Sequence, residues 1–357
     1  MNIFFYINIL AGGGAERVVA NLASSFSDRG HKVSVVTSYR VENEYMTGKK
    51  VKRYVLENKK SETGFISRNL RRIVKLRQLL VVNRPDLLIS FMAEPNFRSI
   101  IATRFLKTKV IVSVRNDPSK EYPTKIMWFL ANLLFKKADG IIFQTQDAKD
   151  CFNKIIQERS EIISNQVNSI FYSTMRAERT RNIITVGRLT AQKNHKILIE
   201  AFDIIKSRIN DNLIIYGEGP AREELERMIK EKGLGDRVFL PGNVSNIENH
   251  LAAAKLFVLS SDYEGMPNAL MEAMAVGVPC ISTDCPCGGP RMLIEDGVNG
   301  LLVPVDDKEA LDHALLLLLT DERLANKVGM IAKERSKVFA PKSVGDRWID
   351  YINSIND

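Results

Sequence analysis

The segment EGMPNALMEAMAVGVP, Glu264–Pro279, places two carboxylates eight residues apart around the expected start of a helix. Pro267 suits a first helical position, because its missing N–H would be unpaired there, and the residues after it favour a helix. Glu264 is then in the preceding loop and Glu272 about a turn and a half inside the helix. Free N–H groups at a helix start attract anions and ligand oxygens, so the pair suits a hydroxylated ligand. Alone, it also fits a helix N-terminal charge and an exposed helix residue.

Short apolar runs alternate with helical segments in two successive sets along the chain. The predicted strands are Asn2–Ile9, Lys32–Thr37, Leu87–Phe91, Val110–Val114 and Gly140–Gln144, then Arg181–Val186, Asn212–Tyr216, Val238–Leu240, Leu256–Ser260, Pro279–Thr283 and Gly300–Pro304. This alternation is typical of parallel sheets built from βαβ units. The sequence therefore predicts an α/β protein with two Rossmann-like domains, with a ligand at the carboxyl ends of the strands in a cleft between them.

Composition indicates a globular protein of two domains. The 357 residues include no apolar run long enough to span a bilayer, and the N-terminal MNIFFYINIL leads into a glycine loop, as a first strand would. Four cysteines (Cys151, Cys280, Cys285 and Cys287) are too few for a disulfide framework in this chain and have no histidine at zinc spacing. We expect a reduced, cytoplasmic protein without a metal site.

Charge is divided unequally along the chain. Residues 1–168 contain 28 Lys and Arg against 15 Asp and Glu, whereas residues 169–357 contain 23 against 27. The basic half is expected to contact something anionic: a phosphate-bearing acceptor, an acidic membrane surface or nucleic acid.

Cations and glycines follow the predicted strands of the second half. In GRLTAQKNH, residues 187–195, Arg188 and Lys193 come just after a strand and could clamp a diphosphate, the arginine as a fork and the lysine as a point charge. Both could equally be exposed loop cations. Gly217, in YGEGP, either lets the backbone approach a ligand or forms a tight turn.

Together these segments resemble the Glu-x7-Glu signature and the GRL-x-x-x-K element of the family 4 retaining glycosyltransferases. The resemblance implies the GT-B fold, with two Rossmann-like domains facing a central cleft and no metal requirement. It divides the chain into an acceptor-binding domain (1–168), a nucleotide-sugar domain (169–337) and a C-terminal helix (338–357) that crosses back onto the first.

The resemblance also implies roles for individual residues. Glu264 would orient the sugar and stabilise its developing positive charge, and Glu272 would hold the ribose hydroxyls. The leaving diphosphate, held by Arg188 and Lys193, would accept the acceptor's proton in a front-face displacement. The remaining donor-binding candidates are Gly13, Gly14, Gly217, Val244, Met266, Pro267 and Asn268.

The glycine loop Gly12–Arg17 joins the first strand to the first helix, where dinucleotide folds have their phosphate loop. It departs from G-x-G-x-x-G, and the second strand ends in Thr37, Ser38 and Tyr39 without the acidic residue a nicotinamide enzyme needs. We expect Gly13 and Gly14 to present backbone N–H groups to the donor phosphates or the acceptor.

VSVRNDPSKEY, Val112–Tyr122, has Arg115 and Asn116 where many relatives have a histidine. The SxRND sequence resembles a subset that acts on lipid-linked oligosaccharides. Arg115 and Asn116 are therefore candidates for acceptor binding, and a structural ion pair of Arg115 with Asp117 or another carboxylate is the alternative.

Two basic and apolar segments, Phe65–Leu80 and Lys125–Lys137, fit interfacial helices, or amphipathic helices with their apolar side in the core. We expect the nucleotide sugar (a UDP-hexose or UDP-N-acetylhexosamine) to be a co-substrate rather than a cofactor. The predicted acceptor is a saccharide on a polyprenyl diphosphate, in bacterial surface polysaccharide or glycan assembly. The enzyme would lie peripherally on the inner face of the cell membrane and bind no nucleic acid. The alternatives are a sugar-nucleotide epimerase on this fold and a non-enzymatic binder of nucleic acid or anionic surfaces.

Overall fold

The computed structural model describes residues 1–57, 64–175 and 178–355, which divide into two compact units. Unit 1 comprises Met1–Gln166 and Pro341–Asp357, and unit 2 comprises Val167–Ala340. The sequence placed this boundary after residue 168 and the returning segment at 338–357, of which residues 356 and 357 lie outside the described part.

The described residues of unit 1 form a seven-stranded parallel sheet in the order β3-β2-β1-β4-β5-β6-β7. The strands are β1 Asn2–Ile7, β2 Lys32–Thr37, β3 Lys52–Val55, β4 Leu87–Phe91, β5 Lys109–Ser113, β6 Gly140–Phe143 and β7 Ser160–Ile162. The helices are α1 Gly14–Asp28, α2 Phe65–Asn83, α3 Ala93–Thr103, α4 Pro118–Glu121, α5 Lys125–Leu134, α6 Gln146–Asp150 and α7 Lys154–Glu158, with a 3-10 turn at Phe135–Lys137.

Unit 2 is built on a six-stranded parallel sheet, again within the described residues, in the order β10-β9-β8-β11-β12-β13. Its strands are β8 Asn182–Val186, β9 Asn212–Tyr216, β10 Val238–Gly242, β11 Leu256–Leu259, β12 Cys280–Thr283 and β13 Leu301–Val303. Its helices are α8 Ser169–Ser173, α9 His195–Ile205, α10 Arg222–Glu231, α11 Ile247–Ala253, α12 Asn268–Val276, α13 Gly289–Leu293, α14 Lys308–Thr320 and α15 Glu322–Ser336. Three 3-10 turns lie at Ala191–Lys193, Lys206–Arg208 and Lys337–Phe339, and α16 Pro341–Ser354 returns to unit 1.

The sheet of unit 1 is covered by helices on both faces. Helices α1 and α16 pack on one face, where Trp348 of α16 lies 6.3 Å from Phe91 of β4, measured between ring centroids. On the other face, Leu76 and Leu80 of α2 and Ala102 of α3 join a second buried cluster. Because both faces are buried, the strands inside the sheet are almost continuously apolar, which made them recognisable in the sequence.

The predicted α/β class and parallel sheets are confirmed. Strands β3 and β7 were not predicted, since KRYV and SEI are short, edge-located and largely polar. The expectation that Pro267 occupies the first helical position is wrong: α12 begins at Asn268, because Pro267 has an extended ψ of 104° and precedes the helix. No helix in the described ranges is both long and apolar enough to cross a membrane.

Candidate active site at the strand ends of unit 2

The candidate donor residues of unit 2 belong to loops that follow neighbouring parallel strands. Arg188 follows β8, Gly217 follows β9, Val244 follows β10 and Glu264 follows β11. Strand β8 lies between β9 and β11, so these loops emerge at one edge of the sheet, where ligands bind in open α/β sheets. The sheet topology therefore assembles residues that are far apart in the chain.

Hydrogen bonds tie the loop after β8 to the loop after β11. The Asp262 backbone N–H donates to the Gln192 carbonyl at 2.9 Å, and the Ser260 hydroxyl donates to the Lys193 carbonyl at 3.0 Å. The Asn194 amide donates to the Asp262 carboxylate at 2.7 Å. These bonds fix the backbone that supports Lys193 relative to the one that supports Glu264.

Glu264 is 7% exposed and forms an ion pair with Lys193, whose ammonium donates to Glu264 Oε1. The Ser261 hydroxyl donates to the same oxygen at 2.7 Å, and Ser261 itself is fully buried. A carboxylate taken out of water is stabilised by a counter-ion and a donor of this kind. No basic residue lies close to Glu264 in the sequence, and the fold supplies one that lies 71 residues away in the chain.

Glu272 is 5% exposed, in a stretch of α12 that is buried from Leu270 to Val276. The alternative that Glu272 is an ordinary exposed helix residue is therefore wrong. Burying a carboxylate costs free energy unless it is paired or hydrogen-bonded. This position therefore suits a carboxylate that binds a ligand or makes hydrogen bonds within the site.

Gly217 allows two backbones to come close together. Its φ is 141°, and a Cβ on it would lie 1.9 Å from the Gly187 carbonyl oxygen. A Cβ on Gly219 would lie 2.3 Å from the Leu189 carbonyl oxygen. These glycines pack the loop after β9 against the loop that presents the exposed side chain of Arg188.

The loop before α12 is packed equally tightly from its other side. A Cβ on Gly289 would lie 1.7 Å from the Gly265 carbonyl oxygen and 3.1 Å from Pro267 Cδ. Met266 is buried, and Asn268 is half-buried at the first residue of the helix. Val244 is half-buried and packs against the same core cluster as Met266.

Ser261 and Cys285 belong to this site but were not singled out in the sequence. Burial, and to a smaller extent the nearby charge of Glu264, raises the pKa of the Cys285 thiol to about 12. Burial, and to a smaller extent the charge of Lys193, lowers the pKa of His195 to about 4. His195 is therefore a neutral residue at neutral pH. No local sequence pattern around Ser261 or Cys285 indicates that these residues lie beside Glu264.

The glycine loop belongs to unit 1. Gly13 precedes the first residue of α1, and Gly14 is that first residue. A Cβ on Gly13 would lie 2.1 Å from Glu16 Oε2, so the carboxylate of the first helical turn folds back over this glycine. Their roles in donor or acceptor binding stay predictions.

Arg115 lies buried after β5. Its guanidinium donates to Ser113 Oγ at 3.2 Å and to Asn165 Oδ1, and it lies 5.1 Å from the ring centroid of Phe91. Burial lowers its pKa to about 9, while the nearby charge of Glu121 acts in the opposite direction. The side chain is thus held inside unit 1.

The backbone of the SxRND loop is held by Glu121. One oxygen of this buried carboxylate accepts from the N–H groups of Arg115 at 2.9 Å and Asn116 at 3.0 Å. Asp117 caps α4 by accepting from Ser119 N–H at 2.8 Å. The half-buried Asn116 is therefore the more accessible of the two acceptor candidates, and their role in acceptor binding stays a prediction.

Comparisons with known proteins show which family the chain belongs to. Residues 168–335 match the family described as Glycosyl transferases group 1, and residues 12–169 match Glycosyltransferase Family 4. The chain is 29% identical over 364 residues, covering 100% of this chain and 99% of the relative, to the GalNAc-alpha-(1->4)-GalNAc-alpha-(1->3)-diNAcBac-PP-undecaprenol alpha-1,4-N-acetyl-D-galactosaminyltransferase of Campylobacter jejuni. It is 31% identical over 274 residues to an uncharacterized glycosyltransferase of Methanocaldococcus jannaschii, covering 69% and 67% of the two chains.

A solved structure shows the same fold. HepE from Anabaena, crystallised in complex with UDP, superimposes with a TM-score of 0.83 at 20% identity, covering 99% of this chain and 100% of that one. The fold, the two family matches along the chain and the full-length relative all agree with the resemblance inferred from the Glu pair. The chain belongs to the family 4 glycosyltransferases and has the GT-B fold.

Proposed function

We propose that this glycosyltransferase moves an N-acetylhexosamine or hexose from a UDP-sugar to a saccharide carried on a polyprenyl diphosphate, with retention of anomeric configuration. The ion pair of Lys193 and Glu264 at the strand ends carries the proposal, because it joins a phosphate-binding cation to a sugar-binding carboxylate. The full-length relative in Campylobacter jejuni is named for transferring N-acetylgalactosamine to an undecaprenyl-diphosphate-linked saccharide, and HepE binds UDP, which supports this choice of substrates.

In the proposed donor complex, Arg188 and Lys193 bind the diphosphate. Two cations can stabilise the charge of the leaving group without a metal ion. Because Lys193 already contacts Glu264, a diphosphate bound to the lysine puts the anomeric carbon close to that carboxylate. Glu264 then stabilises the positive charge that develops on the sugar, and Glu272 holds the ribose hydroxyls.

The proposed chemistry is a front-face displacement. The bond from the anomeric carbon to the diphosphate oxygen breaks as the acceptor hydroxyl forms its bond on the same face, and the leaving diphosphate takes the hydroxyl proton. Ser261 and Lys193 hold Glu264 in place beside the sugar, and the hydrogen-bonded loops keep this arrangement ready before the donor binds.

For the acceptor, we propose that unit 1 provides the binding surface and that the enzyme works at the inner face of the cell membrane. The excess of basic residues in the first half suits the diphosphate of a polyprenyl carrier. Asn116 is the proposed contact of this loop, since the guanidinium of its neighbour Arg115 is held inside the unit, and the glycine loop before α1 offers backbone N–H groups.

Transfer assays with radiolabelled sugar nucleotides test the proposal. A thermal-shift screen against UDP, GDP, ADP and CMP first selects the nucleotide, and a UDP-specific shift is expected. Label should then move from the matching UDP-sugar into organic-extractable lipid, in the presence of EDTA as well as without it, and the anomeric coupling constant of the product should show retention. Label found only in water-soluble product would contradict the lipid acceptor, and sugar isomerisation of the donor without any acceptor would indicate an epimerase.

A further inference from the structure

The sheets of the two units share one strand order. Unit 1 contains β3-β2-β1-β4-β5 and unit 2 contains β10-β9-β8-β11-β12, so β1 corresponds to β8 and β4 corresponds to β11. Successive strands extend in opposite directions from these central pairs, and the helices that follow the two strands of a pair pack on opposite faces. Ligands of open α/β sheets bind in the crevice at such a switch point. In unit 2 this crevice holds the ion pair of Lys193 and Glu264.

The equivalent switch point of unit 1 also holds an ion pair. Glu94 lies in the first turn of α3, just after the end of β4, and its carboxylate accepts from the guanidinium of Arg98 one turn further along the helix. Asn8, directly after β1, accepts from the same guanidinium at 2.8 Å. The pair therefore lies between the ends of β1 and β4, at the edge where the glycine loop also leaves the sheet.

Arg98 is anchored on several elements of unit 1. Its side chain is 2% exposed, and besides Glu94 and Asn8 it donates to Tyr6 Oη of β1 at 2.8 Å and to Asn69 Oδ1 of α2 at 2.7 Å. Burying a guanidinium costs free energy unless its donors are bound, and its planar fork can bind several partners at once. Because β1 and α2 fix the arginine, the arginine fixes the carboxylate of Glu94.

The carboxylate of Glu94 is much more accessible than its partner. The Glu94 side chain is 36% exposed, and Arg98 donates to its Oε2. An ionised carboxylate offers about four lone-pair sites, so it can accept from ligand hydroxyls while it stays paired. An ion pair that only supports its own helix forms equally well on the surface and does not need a cation buried to this degree.

The backbone that leads to Glu94 is strained. Met92 joins β4 to α3 with a φ of 77° and a ψ of 157°, a region that side chains rarely adopt. The fully buried Asn96 holds the start of α3 to the sheet, since it accepts from the Ser90 hydroxyl at 2.8 Å and donates to the Ser113 carbonyl at 2.9 Å. Strained residues of this kind cluster at ligand sites. The strain therefore points to a function for the carboxylate that Met92 places at the crevice.

We propose that Glu94 binds a hydroxyl group of the acceptor saccharide and that Arg98 is its positioning residue. A half-exposed carboxylate at a crevice accepts hydrogen bonds from neutral hydroxyls, whereas it repels the phosphates of a donor or a lipid carrier. The arrangement parallels unit 2, where a cation from the switch point holds the sugar-binding candidate Glu264.

The inference rests on the proposed function, since it takes a saccharide acceptor in unit 1 as given. It adds the place in unit 1 that recognises the sugar itself, the switch point between β1 and β4. The half-buried Asn8 supplies a second polar side chain at this crevice. A few polar groups on rigid elements are what a saccharide site requires for orientation and specificity.

Saturation-transfer NMR with methyl glycosides tests the proposal without a lipid carrier and without transfer. The probes are the methyl α-glycosides of glucose, galactose, N-acetylglucosamine and N-acetylgalactosamine, each added to protein that is saturated with UDP. At least one probe should bind to the wild type. Glu94→Gln should weaken that binding about tenfold, because a hydrogen bond to a charged oxygen is replaced by one to a neutral amide.

Two matched variants locate the bound probe. Glu226→Gln breaks another ion pair between residues four apart, with Arg222 on α10, and should leave glycoside binding unchanged. Glu264→Gln changes the proposed sugar contact of unit 2 and should lose transfer but keep glycoside binding. Weaker binding in Glu94→Gln alone supports the proposal. No binding of any probe to the wild type, unchanged binding in Glu94→Gln, or an equal loss in either matched variant overturns it.

Arg98→Lys tests the positioning role, because lysine keeps the charge but lacks the planar fork. The single variant should weaken glycoside binding, whereas Arg98→Lys combined with Glu94→Gln should bind no more weakly than Glu94→Gln alone. Additive losses of glycoside affinity would overturn the positioning role of Arg98. The test of Glu94 does not depend on this variant, since Glu94→Gln leaves the bonds of Arg98 to Tyr6, Asn8 and Asn69 in place.

Steady-state transfer to undecaprenyl-diphosphate-linked N-acetylgalactosamine in detergent separates binding from a structural role. In Glu94→Gln the KM for this acceptor should rise about tenfold, and the KM for the donor should stay unchanged. A lower unfolding temperature with both KM values unchanged would show a structural ion pair and overturn the proposal. Glycoside binding that needs Glu94, without any sugar transfer, would contradict only the proposed function. Transfer together with glycoside binding that does not need Glu94 would contradict only this inference.

Discussion

Lys193→Ala tests the central contact of the site, because this lysine serves both a ligand and the protein. In the proposed complex it binds the leaving diphosphate, and in the free protein it pairs with Glu264. Removing one preorganised electrostatic group from an active site costs about 3 kcal/mol of transition-state stabilisation, so turnover should fall about a hundredfold or more. The side chains of the pair are 15% and 9% exposed, so the loss of the counter-ion should also reduce the free energy of unfolding.

The size of that stability loss follows from what remains around Glu264. Breaking a fully buried ion pair costs about 3–5 kcal/mol, but here Ser261 still donates to Glu264 and both side chains retain some solvent contact. We therefore expect a loss of about 1–3 kcal/mol. That is less than the 5–15 kcal/mol stability of a typical domain, so the variant should stay folded.

A double-mutant cycle separates the two roles. Glu264→Gln keeps an acceptor for Ser261 and removes the charge that Lys193 neutralises. In the double variant Lys193→Ala with Glu264→Gln, the loss in free energy of unfolding should be smaller than the sum of the two single losses, because the pair is already broken by either change. Transfer should stay lost. Urea unfolding midpoints and initial rates with radiolabelled donor measure the two quantities. Unchanged turnover in Lys193→Ala would refute the clamp, and strictly additive stability effects would refute the ion pair.

Three further outcomes are expected. Ser261→Ala removes one donor to Glu264 and should lower kcat roughly tenfold with a smaller change in the donor KM, in steady-state assays; an unchanged kcat would show that the hydroxyl does not position the carboxylate. Gly217→Ala should destabilise unit 2 by about 3 kcal/mol in urea unfolding, because the new Cβ meets the carbonyl of the β8 loop at a φ of 141°, whereas Gly235→Ala, in open space, should have little effect. Because the pKa of His195 is lowered in the folded protein, the unfolded chain takes up the proton at a higher pH than the folded one. The free energy of unfolding therefore falls as the pH drops from 6.5 toward 4, by about 3 kcal/mol. His195→Gln should remove that part of the pH dependence. A pH profile of stability identical to that of the wild type would contradict this role of His195.

The fold class was predictable because parallel strands covered on both faces leave continuous apolar runs that alternate with helices. Strands β3 and β7 were not predicted, since an edge strand needs no such apolar run and its polar residues are equally typical of a loop. The donor candidates were taken from local motifs beside the strand ends, and the structure places those of unit 2 in loops at one edge of the sheet. The start of α12 differed by one residue, because the ψ of a proline is set by how the loop packs, and Pro267 is extended.

By itself, the sequence determined the α/β alternation, the Glu264 and Glu272 spacing and the basic character of the first half, since each is written in neighbouring residues. Only the tertiary structure decided that Lys193 is the counter-ion of Glu264, that Ser261 holds the same oxygen and that Glu272 is buried. The same holds for Ile66, Leu70 and Val74 of α2, which a core could have covered but which stay exposed in the fold. The physical reason is that ion pairing and burial depend on which distant elements pack together. Residues 71 positions apart share no local sequence pattern from which their contact could be predicted.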